Sequence, residues 1–534
     1  MRYHVLVTDE IDPEGIAVLT SEPQLDVDVQ PTLPPATLLE RIGDYDALIG
    51  RSATRISPDL LRAGKRLRVI GRAGVGVDNV AMDVATELGI AVINAPAGNT
   101  VAVAELFFGV MLGLLRHVPQ AATSMREGRW DRSALLGSEL KGKTLGLVGL
   151  GRIGGEVATR AHAFGMTLVG YDPYVADDRF TAYRVRRMQS LDEMLGEVDI
   201  ITVHTPLTDE TRGLIGRREL ARMTPGAYVA NLARGGIVDD AALAEAIESG
   251  HVRGAALDVY TVEPLPADHP IRRAPNVLLT PHLGASTVEG QRNVAVDACV
   301  GVRDALLRGD VSRSLNVAAV SGAAWGELQG AMLIAQRAAA VARSVLAAQG
   351  ARAIRRLTLR CGPELVGGSG ALLSAATLGL LEGVLEADRL NMINARALAE
   401  QRGIELSIFE TPQLESPYGL EILVAGGMQA LAVGGIAVPG MMPRFTRIGS
   451  FHVDIAPRQN LLVLTNNDVP GVIGRVGTLL GDAGVNIAEW HQARLEQGGE
   501  ALAAISVDSP VPSEVCKRLL ELPDVLSATV VSFR

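Results

Sequence analysis

The sequence predicts an α/β protein of four domains, centred on a doubly wound parallel sheet. Three observations carry this. A β-branched and leucine run, Thr144–Val148, ends in the turn GLGRIG, passes into a helical stretch, returns as a buried strand at 166–171 and stops at Asp172. Strand and helix signals alternate before and after this unit, the pattern of parallel sheets with crossover helices. The last segment, 459–534, instead reads as βαββαβ, a separate ferredoxin-like unit.

Taken in order, strand signals at 4–8, 25–29, 47–50, 68–70 and 90–94 alternate with helix signals from Pro13 and over 35–42. They make a small open parallel sheet of flavodoxin type. A long apolar helix, VAVAELFFGVMLGLLR at 101–116, leads away from it. The dinucleotide unit supplies six strand candidates, at 144–148, 166–171, 199–203, 227–231, 254–258 and 277–280. A helix at 287–308 returns the chain to the first unit. That unit is therefore discontinuous, 1–98 with 287–317, and the Rossmann-type domain 99–286 is inserted into it with a cleft between them. An alanine-rich helix at 325–349 opens an α+β intervening domain, 318–456, in which no catalytic constellation is visible. In the last unit the strands are expected at 461–465, 486–495, 501–507 and 525–532, with helices from Gly471 and near 512–521.

Composition narrows the class. Over 534 residues, 48% are apolar and 21% charged, ordinary for a soluble globular protein, and a net charge of −10 argues against nucleic acid as a partner. Cys299, Cys361 and Cys516 are far apart, form no metal-ligand spacing and read as small buried hydrophobes in a reducing compartment. The N-terminus MRYHVLVTDE is charged at once, so no signal peptide is visible and a cytoplasmic location is expected. The uncharged stretch 422–443 is long enough to span a bilayer, but five glycines and two prolines punctuate it into a β-hairpin or meander. No metal site and no membrane association are expected.

The glycine turn has a physical reading in this context. Gly149 makes the tight turn, Gly151 lets the backbone approach a pyrophosphate, and Gly154 lets helix and strand pack closely, while the helix N-terminus faces the anion. Asp172, 18 residues past Gly154, is placed to accept hydrogen bonds from an adenosine ribose, which favours NAD over NADP. Ile153, Val157, Ala161 and Phe164 are expected on the helix's buried face, with Gly165 closing it.

Ligands of open α/β sheets bind beyond the carboxyl ends of the strands, where three residues stand out. Arg234, in NLARGG after the fourth strand, can grip a carboxylate bidentately, although an arginine at a domain edge is often an ordinary ion-pair partner. Glu263 follows the fifth strand in DVYTVEP, and His282 the sixth in TPHLG. Hydride transfer from an alcohol carbon needs a group that takes the hydroxyl proton, and histidine suits that near neutrality. A carboxylate on its other ring nitrogen would fix the tautomer. His4, His117, His204 and His251 read as structural, with His204 bordering the cofactor.

The set GLGRIG…YDP, HTPLTDETRGLI, NLARGGIVD, DVYTVEP and TPHLGAST, in this order and spacing, resembles the D-2-hydroxyacid dehydrogenase family over residues 1–315. With GRSATRIS and GRAGVGVDNV before it and two domains after it, the chain resembles the family's long form, which ends in an ACT domain. The resemblance implies Arg234, Glu263 and His282 as the catalytic set. It implies that Gly149, Gly151, Arg152, Ile153, Gly154, Asp172, Thr205, Pro206, Leu232, Ala233, Asp258, Leu283, Gly284 and Ala285 surround NAD. Gly74, Val75 and Gly76 would bind the substrate carboxylate, and Arg51 and Arg72 a phosphate, with Ser52 and Asn79 beside them. Arg132 would reach a neighbouring subunit's site in a homodimer or tetramer. The implied reaction is oxidation of 3-phospho-D-glycerate to 3-phosphohydroxypyruvate with NAD, the first step toward L-serine. L-serine is the implied effector, held by Asp468, Gly471, Val472 and Asn486, although Val469 stands where relatives commonly place arginine. A reductase of hydroxypyruvate or glyoxylate, or an NAD(H)-sensing binding module, are the alternatives.

Overall fold

The computed structural model describes residues 2–317, 322–351, 353–384, 389–412, 414 and 416–533. The expected boundary between 317 and 318 adjoins residues outside that set. Strands β1 (Tyr3–Val7), β2 (Leu25–Val29), β3 (Ala47–Gly50), β4 (Val69–Arg72) and β5 (Ala91–Asn94) form one parallel sheet in the order β2-β1-β3-β4-β5. The helix Val288–Arg308 packs Val294, Ala298, Cys299 and Val302 into the core of this sheet, among Val5, Val7, Ile49 and Val69. It crosses the helix Pro13–Thr20 so closely that a Cβ on Gly15 would lie 2.7 Å from the Ala295 carbonyl carbon. The return of the chain to its first unit is thus a packing fact.

The second sheet is also parallel: β6 (Thr144–Val148), β7 (Thr167–Tyr171), β8 (Arg186–Arg187), β9 (Ile200–Val203), β10 (Tyr228–Asn231), β11 (Gly254–Leu257) and β12 (Val277–Leu279), in the order β12-β11-β10-β9-β6-β7-β8. The six expected strands are present. The two-residue β8 carries no apolar run and could not be read from the pattern. The helix Arg152–Ala163 buries Gly154, Gly155, Val157, Ala158 and Ala161. Phe164 departs from expectation: it is the C-cap, 39% exposed, and stacks on Phe108 at 5.0 Å instead of entering the sheet core.

The third sheet is mixed, in the order β14-β13-β15-β16-β17-β18, from β13 (Arg356–Cys361), β14 (Glu405–Glu410), β15 (Gly419–Gly426), β16 (Gln429–Ile436), β17 (Arg444–Ile448) and β18 (Phe451–Ile455). The uncharged stretch 422–443 contributes the antiparallel hairpin β15–β16. Two helical segments, Trp325–Ala348 and Pro363–Leu381, are long and apolar enough to cross a membrane. They share one core beneath this sheet, where Ala335, Ala338 and Val341 meet Leu372 and Ala376. The last sheet, β20-β21-β19-β22, is antiparallel and comprises β19 (Asn460–Asn467), β20 (Ile487–Arg494), β21 (Glu500–Val507) and β22 (Val525–Ser532). Helices Val472–Asp482 and Ser513–Leu520 cover it. Cys299 and Cys361 are buried, whereas Cys516 is only partly so.

Candidate active site

β10, β11 and β12 lie side by side and end at one edge, so their loops meet. Buried Asn231 shapes the first loop: its Oδ1 accepts from Ala233 N at 3.1 Å and its Nδ2 donates to Arg234 O at 2.9 Å. Gly235 then passes so near the second loop that a Cβ would sit 1.7 Å from Tyr260 O. Asp258 builds the third loop. It is 1% exposed, and its carboxylate accepts from Thr280 Oγ1, from Leu283 N at 2.7 Å and from Gly284 N at 2.8 Å. Asp258 therefore holds the loop that carries His282, Leu283 and Gly284.

His282 sits in the left-handed region, φ 57°, with its own N–H donating to Asp258 O at 2.9 Å. Its Nδ1 lies 2.8 Å from Glu263 Oε2, and Glu263 Oε1 accepts from Tyr260 N at 3.0 Å. The carboxylate is thus fixed at both oxygens, Nδ1 carries the shared proton, and Nε2 is left to exchange a proton with a ligand. The imidazole is half exposed.

Three guanidiniums, of Arg51, Arg72 and Arg234, lie near one another. Arg234 donates Nε–H to Asp78 Oδ2 at 3.1 Å and Nη1–H to Ala233 O at 2.7 Å. Arg72 donates Nη1–H to Ala73 O at 3.1 Å, and a Cβ on Gly74 would lie 1.4 Å from that nitrogen. Burial, and then the charges of Arg234 and Arg51, pull the Arg72 pKa down to about 10. The Nε–H groups of Arg51 and Arg72 are both buried without a partner. Buried donors are rarely left so, and cations that repel one another around orphaned donors form a cradle for a multiply charged anion.

The supports of this cradle were not assigned from sequence. Asp9 accepts from Arg51 N at 2.6 Å, from Thr54 N at 3.2 Å and from Thr54 Oγ1 at 2.8 Å. Asn79 Nδ2 donates to Arg51 O at 3.0 Å and Thr54 O at 2.7 Å, so Asn79 holds the loop that carries Arg51. Ser52 is exposed. The Gly74 N–H donates to Arg72 O at 2.8 Å, and among the described residues nothing accepts from Val75 or Gly76 N–H. Those two amides are the ones available to a carboxylate. Arg132, on the 3-10 turn Arg132–Leu135, is exposed, and no hydrogen bond or ion pair among the described residues joins it to this cleft.

The glycine turn fits a dinucleotide. Gly149 has φ 93°, and a Cβ there would lie 2.8 Å from His204 O; one on Gly154 would lie 2.3 Å from Gly149 O. A Cβ on Gly151 would meet nothing within 4 Å, so space is open at the helix N-terminus where Arg152 is exposed and Ile153 half-buried. Thr205 Oγ1 and His204 Nδ1 beside the turn are buried without a partner. Burial pushes the His204 pKa down to about 4, so the ring is neutral at pH 7. Asp172, at the end of β7, accepts from Leu150 N at 2.9 Å and Tyr174 N at 3.0 Å, which aims it beside the turn. Leu232 is buried, the Ala233 N–H is spent on Asn231, and Pro206 is exposed with its carbonyl accepting from Thr211 at 2.6 Å. Leu283 is 39% exposed, and Ala285 O accepts from Gln291 at 2.8 Å.

The residues expected to hold an effector are not brought together. Asp468 follows the end of β19 and is paired with Arg494 at 3.2 Å and Gly498 N at 3.1 Å. Asn486 precedes β20 and donates to Asp508 at 2.6 Å. Through β21, Ile487 is level with Asn460 at the start of β19, so Asp468 and Asn486 stand at opposite ends of the sheet. Gly471, φ 92°, and Val472 open the helix beside Asp468.

Comparison with known proteins places these features. Residues 108–284 match the model described as D-isomer specific 2-hydroxyacid dehydrogenase, NAD binding domain, and 460–524 match the ACT domain. The chain is 38% identical to the D-3-phosphoglycerate dehydrogenases of Methanocaldococcus jannaschii and Bacillus subtilis, covering 99% of this chain and of each relative. It is 37% identical to that of Mycobacterium tuberculosis over 99% of this chain and 98% of the relative. Among solved structures it resembles a glyoxylate reductase from Paecilomyes thermophila, with 31% identity, TM-score 0.54 and coverage of 58% of this chain and 96% of that one. A Staphylococcus aureus NAD-dependent formate dehydrogenase in complex with NAD gives 30% identity, TM-score 0.51 and coverage of 57% and 96%.

Proposed function

The chain belongs to the D-3-phosphoglycerate dehydrogenase family, and on that premise we propose that it oxidises 3-phospho-D-glycerate to 3-phosphohydroxypyruvate with NAD, using His282, Glu263 and Arg234. The observation that carries the substrate is the cradle of Arg51, Arg72 and Arg234, whose orphaned buried donors suit one phosphate and one carboxylate. Arg51 and Arg72 hold the phosphate. Arg234 and the Val75 and Gly76 amides hold the carboxylate and so orient the C2 hydroxyl toward His282. His282 Nε2 removes the hydroxyl proton, and Glu263 at 2.8 Å stabilises the imidazolium that forms. NAD, when bound at the glycine turn, supplies the hydride acceptor; Gly151 gives its pyrophosphate room and Asp172 addresses its ribose.

Activity measured as NADH formation tests this, with 3-phosphoglycerate set against D-lactate, D-glycerate and 2-hydroxyglutarate. Preference for an unphosphorylated acid would overturn the phosphate assignment. A reductase of glyoxylate or hydroxypyruvate does not need two arginines with buried, unpartnered Nε–H groups.

The working unit is a homo-oligomer on this reading. The segment that carries Arg132 also exposes Val118, Met125, Trp130 and Leu136, the last at 86%, and an apolar strip of that kind suits a second copy. The ACT domain takes L-serine between copies, since Asp468 and Asn486 are too far apart within one sheet. A cytoplasmic location accords with three free cysteines.

A further inference from the structure

We propose that Asp78 is a positioning residue for the reaction: it fixes the Arg234 guanidinium across the cleft so that its free Nη edge meets the substrate carboxylate at the turn formed by residues 74–76. Asp78 belongs to the loop after β4, in the first sheet's unit; Arg234 follows β10, in the second. The pair, Nε to Oδ2 at 3.1 Å, is therefore a bond between the two units that form the cleft. Among the described residues Arg234 has one other partner, the Ala233 carbonyl, which takes an Nη1–H at 2.7 Å. Two anchors fix the plane of the guanidinium and leave three of its five N–H donors free.

Those donors face the carboxylate turn. A Cβ on Gly76 would lie 2.0 Å from Arg234 Nη2 and 2.6 Å from Asp78 Oδ2, so the glycine, the acid and the arginine share one contact point. Arg234 and Arg72 also repel each other. Without the Asp78 carboxylate, nothing on this side holds Arg234 against that repulsion, and it would swing away from the turn. Asp78 is 66% exposed and Arg234 26%, so the pair adds little to global stability and its loss should be felt in substrate binding.

The inference rests on the reading of Arg234 as the carboxylate anchor. It is tested on the full-length enzyme by steady-state kinetics and thermal melts of Asp78→Ala and Asp78→Asn. The alanine variant should raise KM for 3-phosphoglycerate roughly tenfold, as for loss of a charge-assisted hydrogen bond, with KM for NAD and the melting temperature unchanged. Asparagine still offers an oxygen to Nε–H and should recover much of that loss. A KM for 3-phosphoglycerate within about twofold of wild type in Asp78→Ala would overturn the proposal, as would an equal rise in KM for NAD. Wild type inactive on 3-phosphoglycerate would overturn the substrate assignment instead; the same variants are then read with whichever 2-hydroxyacid the wild type oxidises, because the contact concerns the carboxylate alone.

Discussion

Arg72 shows how the cleft stores affinity for an anion. Its guanidinium is mostly buried, faces two other arginines, and has its pKa drawn down from the ordinary guanidinium range to about 10. A base depressed in the folded state binds fewer protons there than when unfolded, so above pH about 10 this group adds stability as pH rises. Below pH 10 its charge is a burden on the ligand-free fold, and a phosphate dianion relieves it. Arg72→Gln should therefore raise KM for 3-phosphoglycerate at least roughly tenfold. The ligand-free variant should melt no lower than wild type, in contrast to most substitutions at buried sites. In the wild type the same KM should climb above pH about 10, as Arg72 loses its proton. At the proton-transfer site, His282→Gln should reduce kcat by about 100-fold or more while KM for NAD is kept, as single-turnover and steady-state assays would register. Arg234, Glu263 and His282 stood out in the sequence because each follows a strand end with a side chain suited to the chemistry, whereas Arg51 and Arg72 were singled out only through the family resemblance. Asp9, Asp78 and Asn231 were not legible there, because each acts on a neighbour brought near only by folding; the Asp78–Arg234 bond spans 156 residues.

At the scale of the element, the turn after β6 is tightly constrained backbone. Gly149 at φ 93° abuts the His204 carbonyl, so Gly149→Ala adds left-handed strain of about 1–2 kcal/mol and a clash that displaces the loop bearing Thr205. The expected result is loss of NAD binding, read by calorimetric titration or quenching of intrinsic fluorescence, with the melting temperature of the ligand-free protein only slightly lowered. His204 itself should shape the acid limb of stability. Its pKa falls from 6.5 to about 4 on burial, so as pH drops through that window the unfolded chain takes up a proton that the folded chain refuses, and stability is lost. Melting temperature plotted against pH should fall less steeply between 6.5 and 4 in His204→Gln than in wild type. The elements were readable where apolar period and turn glycines agree, which covers the five strands of the first sheet and six of the second. The two-residue β8, which pairs only Val169 with Arg186 and Gly170 with Arg187, leaves no periodic trace. Phe164 misled because the helical period continues one step past the point where the C-cap releases it toward Phe108.

At the scale of the whole molecule, the order of units was legible but their docking was not. Docking depends on side chains that meet backbone carbonyls, and no periodicity announces such contacts. The segment carrying Arg389, Asn391 and Asn394 hooks the intervening unit onto the first one. Asn391 Nδ2 donates to Gly89 O at 2.8 Å, Asn394 Nδ2 to Glu87 O at 3.4 Å, and Arg389 Nη2 to Gly64 O. Beyond it, Arg337 lies over the Phe533 ring at 4.9 Å and Arg444 pairs with Glu489, so the intervening and last units are joined to each other. This hook is one link between the ACT-bearing half and the cleft, beside Val311, which packs against the cores of both the intervening and the first unit. Gly89 is its weak point: φ is 68°, and a Cβ would lie 2.6 Å from Asn391 Nδ2 and 2.8 Å from Arg389 O. Gly89→Ala should therefore loosen the hook while leaving Arg234, Glu263 and His282 in place. The variant is expected to keep kcat and KM within about twofold of wild type, since distant sites act nearly independently. Amide hydrogen exchange should rise at 389–394, and any change in rate that L-serine produces in the wild type should shrink. Unchanged exchange at 389–394 would show that the hook does not depend on Gly89, and the path from the ACT domain would then have to be sought through Val311 or through contacts between copies of the chain.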